Sequence, residues 1–488
     1  MDAVALNDPV NCRHWHLTRV ITTDREISKA HVGIVGARVS GFRCVEILLR
    51  QSFTVAILEA RDRIGGRICQ SDELGYTVDN LADETNTPLH HWNSKQLIYD
   101  SLGTLLPDEK AERLSTLLWE IITEACEVSE AARQKDGGKS IPLDESFYDF
   151  VKKKAAERLN NDEERQILAQ MSEMWGAYVG EPVWKQSLRF SWMGECCGGE
   201  ELFVESSYST ILDKISETPR KQADIILNSR IVSVITQDEP SDPKVVLLTT
   251  TGDKYIYCFK PAPPSRLSSA IIDLKLSQLE KVFINFPSAF WISDPTVDSF
   301  PSYVYQLARA DIRQGHQLPT AGSQEIWNLP SLAAPDSHPT LLFYLYGDCS
   351  RHIVNSIHGK SKAERDSFLR AFFFPYYSRL PSFDAQSEAC VPKAFLATEW
   401  LKDDLCGNGS YCNFQVGTAE ADQDVLAIRQ GCPEQGLWFC GEQHAAPFEE
   451  CGTVAVFIFI IVSPRPPLHM QPQLKKLGTH TDQHAGGG

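Results

Sequence analysis

Residues 32 to 67 restrict this chain more than any other stretch. An apolar run, Val32-Gly33-Ile34-Val35, leads into the turn Gly36-Ala37-Arg38-Val39-Ser40-Gly41; a helix-like segment carries on to Arg50, and a second apolar run, Val55-Ala56-Ile57-Leu58, closes at Glu59. This order predicts a strand, turn, helix and strand whose parts each meet a different portion of a dinucleotide. The turn lets backbone approach a pyrophosphate, the helix N-terminus offers N–H groups and the positive end of its dipole, and the acid accepts ribose hydroxyls. One position departs from the pattern. Arg38 stands where the middle glycine belongs, and that glycine normally lets backbone come close to the phosphates. A long side chain there must swing aside or displace the ligand, with strain of about 1–2 kcal/mol if positive φ is also required. Pairing with a phosphate would offset part of this; the net expectation is weakened cofactor binding.

Directly after the acid comes Arg61-Asp62-Arg63-Ile64-Gly65-Gly66-Arg67. A second glycine pair flanked by arginines resembles the FAD-binding signature of flavin amine oxidases, and NAD dehydrogenases do not usually carry it. The resemblance, nearest to the fungal kind related to polyamine and monoamine oxidases, runs with gaps from about residue 32 to 454. It implies an α/β fold: a Rossmann-like FAD-binding domain assembled from discontinuous segments (31–88, 205–285 and 398–462), with a mixed-sheet plus helical substrate domain (89–204 and 286–397). Residues 1–30 read as an N-terminal arm and 463–488 as a disordered tail.

The resemblance also implies roles. Glu59 would hold the adenosine ribose, with Ala60 and Arg61 beside it. Gly36, Arg38, Gly41, Gly65, Gly66 and Arg67 would meet the pyrophosphate and its approach, and Ile231 would touch adenine through its backbone. Gly441-Glu442 would return to the flavin beside Gly36, and Thr453 and Val454 would also contact the cofactor. Lys281, ten residues before Trp291, is similar to the family's lysine that holds a water near flavin N5. Phe283, Phe286, Phe290 and Trp291 are expected around it. Trp400 and Tyr411 resemble the aromatic walls of the flavin site, one of them flanking the amine, where a π-face attracts an incoming cation. Read from the residues alone, the alternative for Lys281 is a strand-end lysine in solvent, and Trp400 and Tyr411 are equally core aromatics. Ser410 stands about where monoamine oxidases place the cysteine bonded to flavin, so noncovalent FAD is expected.

The reaction implied is oxidation of an amine C–N bond with O2 as acceptor, giving imine or aldehyde and hydrogen peroxide. Two alternatives stay open: a degenerate, non-catalytic relative, or another flavin oxidase such as an amino-acid oxidase. The degenerate reading rests on Arg38 and on three departures from the family pattern. A Trp-Ile-His-Gly type run is missing after Val78-Asp79; a buried strand and its Pro-Leu-Gly turn are missing where the chain passes from Cys258-Phe259-Lys260 to Pro261; and Phe457-Ile458-Phe459-Ile460-Ile461 replaces a helix under the flavin. Losing a central strand would leave strand edges unpaired.

At 488 residues the chain should divide into about two to four domains. A net charge of -17 argues against a nucleic-acid partner, and an acidic surface can draw in cationic substrates. The fourteen cysteines include no C-x-x-C pair, and Cys12, His14 and His16 have no fourth partner, so no metal site is expected. Reduced thiols without a secretory h-region predict an intracellular, cytoplasmic protein. The longest apolar run, Val454 to Val462, is too short to span a bilayer as a helix, and no peroxisomal address closes the chain. The expected partners are thus a small-molecule amine and O2, with oligomeric state left open.

Periodicity supplies the remaining elements. Leu114, Leu117, Leu118, Ile121 and Ile122 predict an amphipathic helix within 107–135, and Glu163-Glu164 suit the first turn of another that starts at Asn161-Asp162. Residues 89–204 read as largely helical. A helix is expected from Tyr208 to Ile215, one strand from Ile225 to Val234, a hairpin over 244–257, and strands at Lys281–Phe286 and 341–347. Ser361-x-x-Glu364 predicts a capping box for a helix that stops near Pro375, and Phe372-Phe373-Phe374 is expected in a core.

Overall fold

The structure, a computed structural model, describes residues 32–68, 89–91, 96–100, 104–196, 202–204, 208–237, 244–250, 254–257, 265–292, 303–306, 324–329, 338–410, 412–432, 437–439 and 461–462. In chain order, β1 (Val32–Val35), α1 (Val39–Arg50) and β2 (Val55–Leu58) precede the short strands β3 (Leu89–His91) and β4 (Gln96–Tyr99). Helices α2 (Asp108–Asp136), α3 (Phe147–Arg158), α4 (Asp162–Ser172) and α5 (Trp175–Val179) follow. Next come β5 (Leu202–Val204), α6 (Tyr208–Gln222), β6 (Asp224–Ile226), β7 (Ile231–Gln237), β8 (Lys244–Thr249), β9 (Lys254–Tyr257), α7 (Ser265–Asp273) and β10 (Lys275–Leu276). The second half carries β11 (Leu279–Asn285), β12 (Tyr303–Gln306), β13 (Gln324–Asn328), β14 (Thr340–Tyr346), α8 (Gly347–Ile357), α9 (Lys362–Tyr377), β15 (Ala394–Ala397), β16 (Cys412–Asn413), α10 (Ala421–Gln430), β17 (Leu437–Trp438) and β18 (Ile461–Val462).

The opening unit folds as its pattern predicts. β1 and β2 pair in parallel, with Val32 opposite Val55 and Val35 opposite Leu58, and β6 adds in parallel beyond β2. Both strands are continuous apolar runs because both faces are covered. Phe42, Val45 and Leu48 of α1 pack with Ile34 and Ile57 on one side, while Leu58 joins Leu267, Ala270 and Ile428 on the other. On the far side of β1, β18 pairs antiparallel and links it to β17, giving the order β17-β18-β1-β2-β6. The apolar run read as a replaced helix therefore ends in a strand, Ile461–Val462, and this edge of β1 is paired. Residues 80–88 and 258–264, where the sequence departs from the expected pattern, lie outside the described residues.

A second sheet has the order β15-β11-β14-β13-β12-β4. β11 pairs with β14 from Leu279–Tyr346 to Asn285–Thr340 and with β15 on its other side. Alternation sorts the residues of β11 and β14 between two faces. Val282, Ile284, Leu341, Phe343 and Leu345 meet Phe373 and Tyr376 of α9, whereas Phe283, Leu342 and Leu329 cluster on the opposite face. The phenylalanine run divides accordingly: Phe373 is buried, while Phe374 is exposed.

The helical reading of 89–204 holds for its middle, where Leu114, Leu118, Ile121 and Ile122 enter one core with Phe147 and Val151 of α3. β4 departs from it, pairing in parallel with β12 at the edge of the second sheet. α3 lies within that helical stretch and opens on a capping box formed by Ser146 and Asp149. The expected strand 225–234 is two strands. Asn228, at φ 55°, breaks it, sending β6 to the nucleotide-type sheet and β7 to the separate meander β7-β8-β9. A residue in the left-handed region cannot continue a strand. The second capping box, Ser361 with Glu364, opens α9 as expected, and Pro375 sits in its last turn.

Candidate functional site

The turn after β1 is held by its glycine geometry and by the acid that closes β2. Gly36 has φ 105°, a conformation that suits glycine. Arg38 is the N-cap of α1 and makes no side-chain capping bond; the first turn holds no acidic residue. Glu59, 4% exposed, crosses from the end of β2 and ties the turn down. Its Oε2 accepts the Ala37 N–H at 2.7 Å and its Oε1 accepts the Arg61 N–H at 2.9 Å. Gly65 donates its N–H to the Ala37 carbonyl at 2.8 Å, which docks the second glycine pair on the first turn. Gly65 and Gly66 both need positive φ, 95° and 62°.

The backbone of Arg38 is extended, at φ -110° and ψ 178°, so no positive φ is required and the strain considered from the sequence is absent. Its side chain lies across the second glycine pair: a Cβ added at Gly66 would fall inside the Arg38 side chain. The guanidinium reaches residues far along the chain, with Nη2 donating to the Leu405 carbonyl at 2.7 Å and approaching Cys406 Sγ at 3.6 Å. Burial pushes the Arg38 group down to about 10, and the neighbouring charge of Arg67 pushes the same way. It therefore keeps its charge at neutral pH. Arg61 forms an ion pair with Asp403 at 2.7 Å. The Asp403 carboxyl is disfavoured as an anion by burial, yet the Cys406 thiol and Arg61 outweigh this and hold it below the usual range.

Among the described residues around the turn, three guanidinium groups (Arg38, Arg61, Arg67) face two carboxylates (Glu59, Asp403). An uncapped helix N-terminus and a surplus cation fit a diphosphate, and Glu59 at the tip of β2 fits a ribose. The residues present thus suit a dinucleotide such as FAD, with Arg38 lying in part of the cradle. Ile231 is placed beside this end: Ser229 donates its N–H to the Glu59 carbonyl at 2.7 Å, and Ile231 packs with Leu58 and Val35. Gly41 is buried in α1 and Ala60 lies between the two anchored residues Glu59 and Arg61. Gly441, Glu442, Thr453, Val454 and Tyr411 lie outside the described residues.

Glu59→Ala should orphan the buried Ala37 N–H, at about 1–3 kcal/mol, release the part-buried Arg61 N–H, and remove the ribose acceptor. The expected result is a lower melting temperature for the cofactor-free chain and FAD affinity reduced at least about tenfold. Thermal unfolding and a fluorescence titration with FAD read the two effects separately.

Lys281 projects from β11 on the face opposite α8 and α9. Its Nζ stands 5.2 Å from the centre of the Tyr344 ring, its partner across the strand pair. Of the aromatics expected around it, Phe283 shares this face. Phe286, Phe290 and Trp291 belong to the core on the other face, where Trp291 donates to Asn328 Oδ1 at 2.6 Å. Strand alternation and the turn after Asn285 separate them. In register with Tyr344 on the next strand is Glu325, 2% exposed, so Lys281, Tyr344 and Glu325 form one row across three strands.

Trp400 opens a short 3-10 turn, Trp400–Lys402, and is partly buried. The stretch 398–406 runs as a strap between the two half-sites. At one end Thr398 exchanges bonds with the Lys281 backbone, 3.0 Å to its carbonyl and 2.9 Å from its N–H to Thr398 Oγ1. At the other, Asp403, Leu405 and Cys406 hold Arg61 and Arg38. No spacing in the chain announces these contacts, which join residues 342 and 367 positions apart. Ser410 is buried, accepting the Leu279 N–H at 2.8 Å beside the start of β11.

The sequence profile of the flavin containing amine oxidoreductase family matches residues 39–113 and 96–451. Lysine-specific histone demethylase 1 homolog 1 of Arabidopsis thaliana is 23% identical, over 85% of this chain and 49% of its own length. Homolog 2 of the same plant is 24% identical, over 86% and 57%. The chain thus spans about half the length of these relatives. Probable polyamine oxidase 4 of Arabidopsis thaliana is 23% identical, over 84% of this chain and 81% of its own length. Among solved structures, a putrescine oxidase from a redesign of cofactor binding superposes with a TM-score of 0.56 at 15% identity, covering 79% of this chain and 88% of that one. At that identity the likeness speaks to fold.

Proposed function

Because this chain belongs to the flavin-containing amine oxidoreductase family, whose cofactor is FAD, we propose that it oxidises the C–N bond of a small amine, with O2 as the final acceptor. The products are an imine, which water converts to an aldehyde, and hydrogen peroxide. The observation that carries the amine side is the row Lys281, Tyr344 and Glu325 on one face of the second sheet. A carboxylate and a π-face attract an ammonium ion, and the Lys281 charge beside them disfavours the amine's cationic form once it is within reach. An amine must lose that proton before its neighbouring carbon can give up hydride.

FAD, when bound, supplies the two-electron hydride acceptor. The chain's own part is to hold and to orient. Glu59 takes the ribose, Arg61 and Arg67 neutralise the diphosphate, and Gly36, Gly65 and Gly66 let backbone come close. Lys281 holds a water on the sheet face. Trp400 and Tyr411 are taken as aromatic walls, and Ser410 in place of a cysteine supports noncovalent attachment.

A second reading, a chain that keeps the fold and has given up catalysis, is favoured by one observation: the Arg38 side chain lies across Gly66, inside the cradle. The visible spectrum of the folded protein separates the two. Under anaerobic conditions, spermine should bleach a bound flavin if the chain is an amine oxidase. A flavin band that persists with spermine and with putrescine would reject oxidation of these amines. A colourless, monodisperse protein that cannot be reconstituted with FAD would establish the second reading.

A further inference from the structure

Next to Lys281 on β11 lies Glu280, a carboxyl that is 1% exposed and serves neither the cradle nor the sheet face. It points to the strap. Thr398 Oγ1 donates to its Oε2, and the Leu401 N–H reaches Oε1 at 2.9 Å. The backbone of Trp400 bonds to it as well. This one side chain therefore fastens both sides of Trp400 to the strand that carries Lys281, across 118 and 121 residues of sequence.

We propose that Glu280 is a positioning residue whose proton sets the placement of Trp400 relative to Lys281, making amine oxidation respond to pH through the strap. The proposal rests on the oxidase reading for its last step. As an anion, Glu280 accepts from Thr398 and from the turn's N–H groups. Protonated, it becomes a donor to Thr398 Oγ1 and its bonds to the turn's N–H groups lose their charge assistance, so the turn is held more weakly. Burial, reinforced by the charge of Glu399, pushes the Glu280 carboxyl up to about 7, which places this exchange near neutrality. Among the described residues, the charged group acting on it is Glu399 on the strap, with Lys281 its neighbour in sequence. His358 at the end of α8 and Arg365 on α9 pair with Glu399, at 2.7 and 3.7 Å.

Three readouts test this in the full chain. First, protein labelled with 5-fluorotryptophan is followed by fluorine NMR, with the Trp400 signal identified by its loss in Trp400→Phe. That signal should shift between about pH 6 and 8 in the parent and stay fixed in Glu280→Gln, which copies the protonated form. A fixed signal in the parent overturns the proposal, as does a shift that survives in Glu280→Gln and vanishes in His358→Gln. Second, the melting-temperature difference between parent and Glu280→Gln reports the carboxyl itself. Because folding raises this carboxyl, the stability its proton carries is full below the ordinary carboxylate range and is lost as pH climbs through about 7. The parent should thus lose ground to the variant over that window, and a constant difference overturns the titration. Third, the rate of flavin bleaching by spermine should lose its pH step near neutrality in Glu280→Gln. If the fluorine signal shifts but the bleaching rate keeps the parent's pH profile, Glu280 is structural and the proposal fails. Absence of any bleaching, with the shift present, fails the oxidase reading instead and leaves the Glu280–Trp400 coupling established.

Discussion

Arg38→Gly should bind FAD about tenfold more tightly than the parent chain, a gain of about 1.4 kcal/mol. The Arg38 backbone is already extended and unstrained, so the obstruction is its side chain, which lies over Gly66 and is fixed to the Leu405 carbonyl. A diphosphate entering the cradle has to displace that side chain or shift away from the N–H groups of α1. Removing the side chain opens the approach that the glycine fingerprint normally provides. One cation is lost, yet Arg61 and Arg67 remain. The variant gives up the bond to Leu405 and gains unfolded-chain entropy, so the cofactor-free protein should be less stable by about 1 kcal/mol. Titration of the cofactor-free chain with FAD, read by quenching of flavin fluorescence, measures the affinity. Weaker binding by Arg38→Gly would make the guanidinium a phosphate ligand and refute the obstruction.

Lys281→Met should slow flavin reduction by amine, or reoxidation by O2, by about a hundredfold. Methionine keeps the length and apolar stem that pack beside Tyr344 and Phe283, and removes the charge and its three donors. Overall folding should therefore hold, because the Lys281 backbone bonds to Thr398 do not involve the side chain. Anaerobic mixing with amine reads the first rate, and mixing of reduced protein with O2 the second. Unchanged values for both would reduce Lys281 to a strand residue packed on a tyrosine.

Elements whose logic is local were legible from the chain. The opening strand, turn, helix and strand emerged with their boundaries, as did α2, the start of α4 and the capping box of α9, since each rests on neighbours within a few residues. The misreading at 225–234 had a local cause too: Asn228 bends the chain through a left-handed conformation that apolar alternation does not reveal. Gly36, Arg38, Glu59, Arg61, Gly65, Gly66 and Arg67 gather in one place because a single stretch of 32 residues contains them. Lys281 was placed on a strand correctly and Phe283 shares its face, but Phe286, Phe290 and Trp291 do not, because Phe290 and Trp291 lie beyond the end of that strand and all three pack on its other face.

What the sequence by itself determined is the nucleotide-binding unit and the kind of chemistry its charges accept, because glycines, an acid and arginines at short spacing act through backbone geometry that a few residues control. Only the tertiary structure decided that Arg38 and Arg61 are gripped by Leu405, Cys406 and Asp403, that Glu280 fastens the Trp400 turn, and that Lys281 stands in one row with Tyr344 and Glu325. Those contacts join strands and turns far apart in the chain. Their pairing is set by which buried polar groups find partners once the sheets have packed, and no local pattern encodes that outcome.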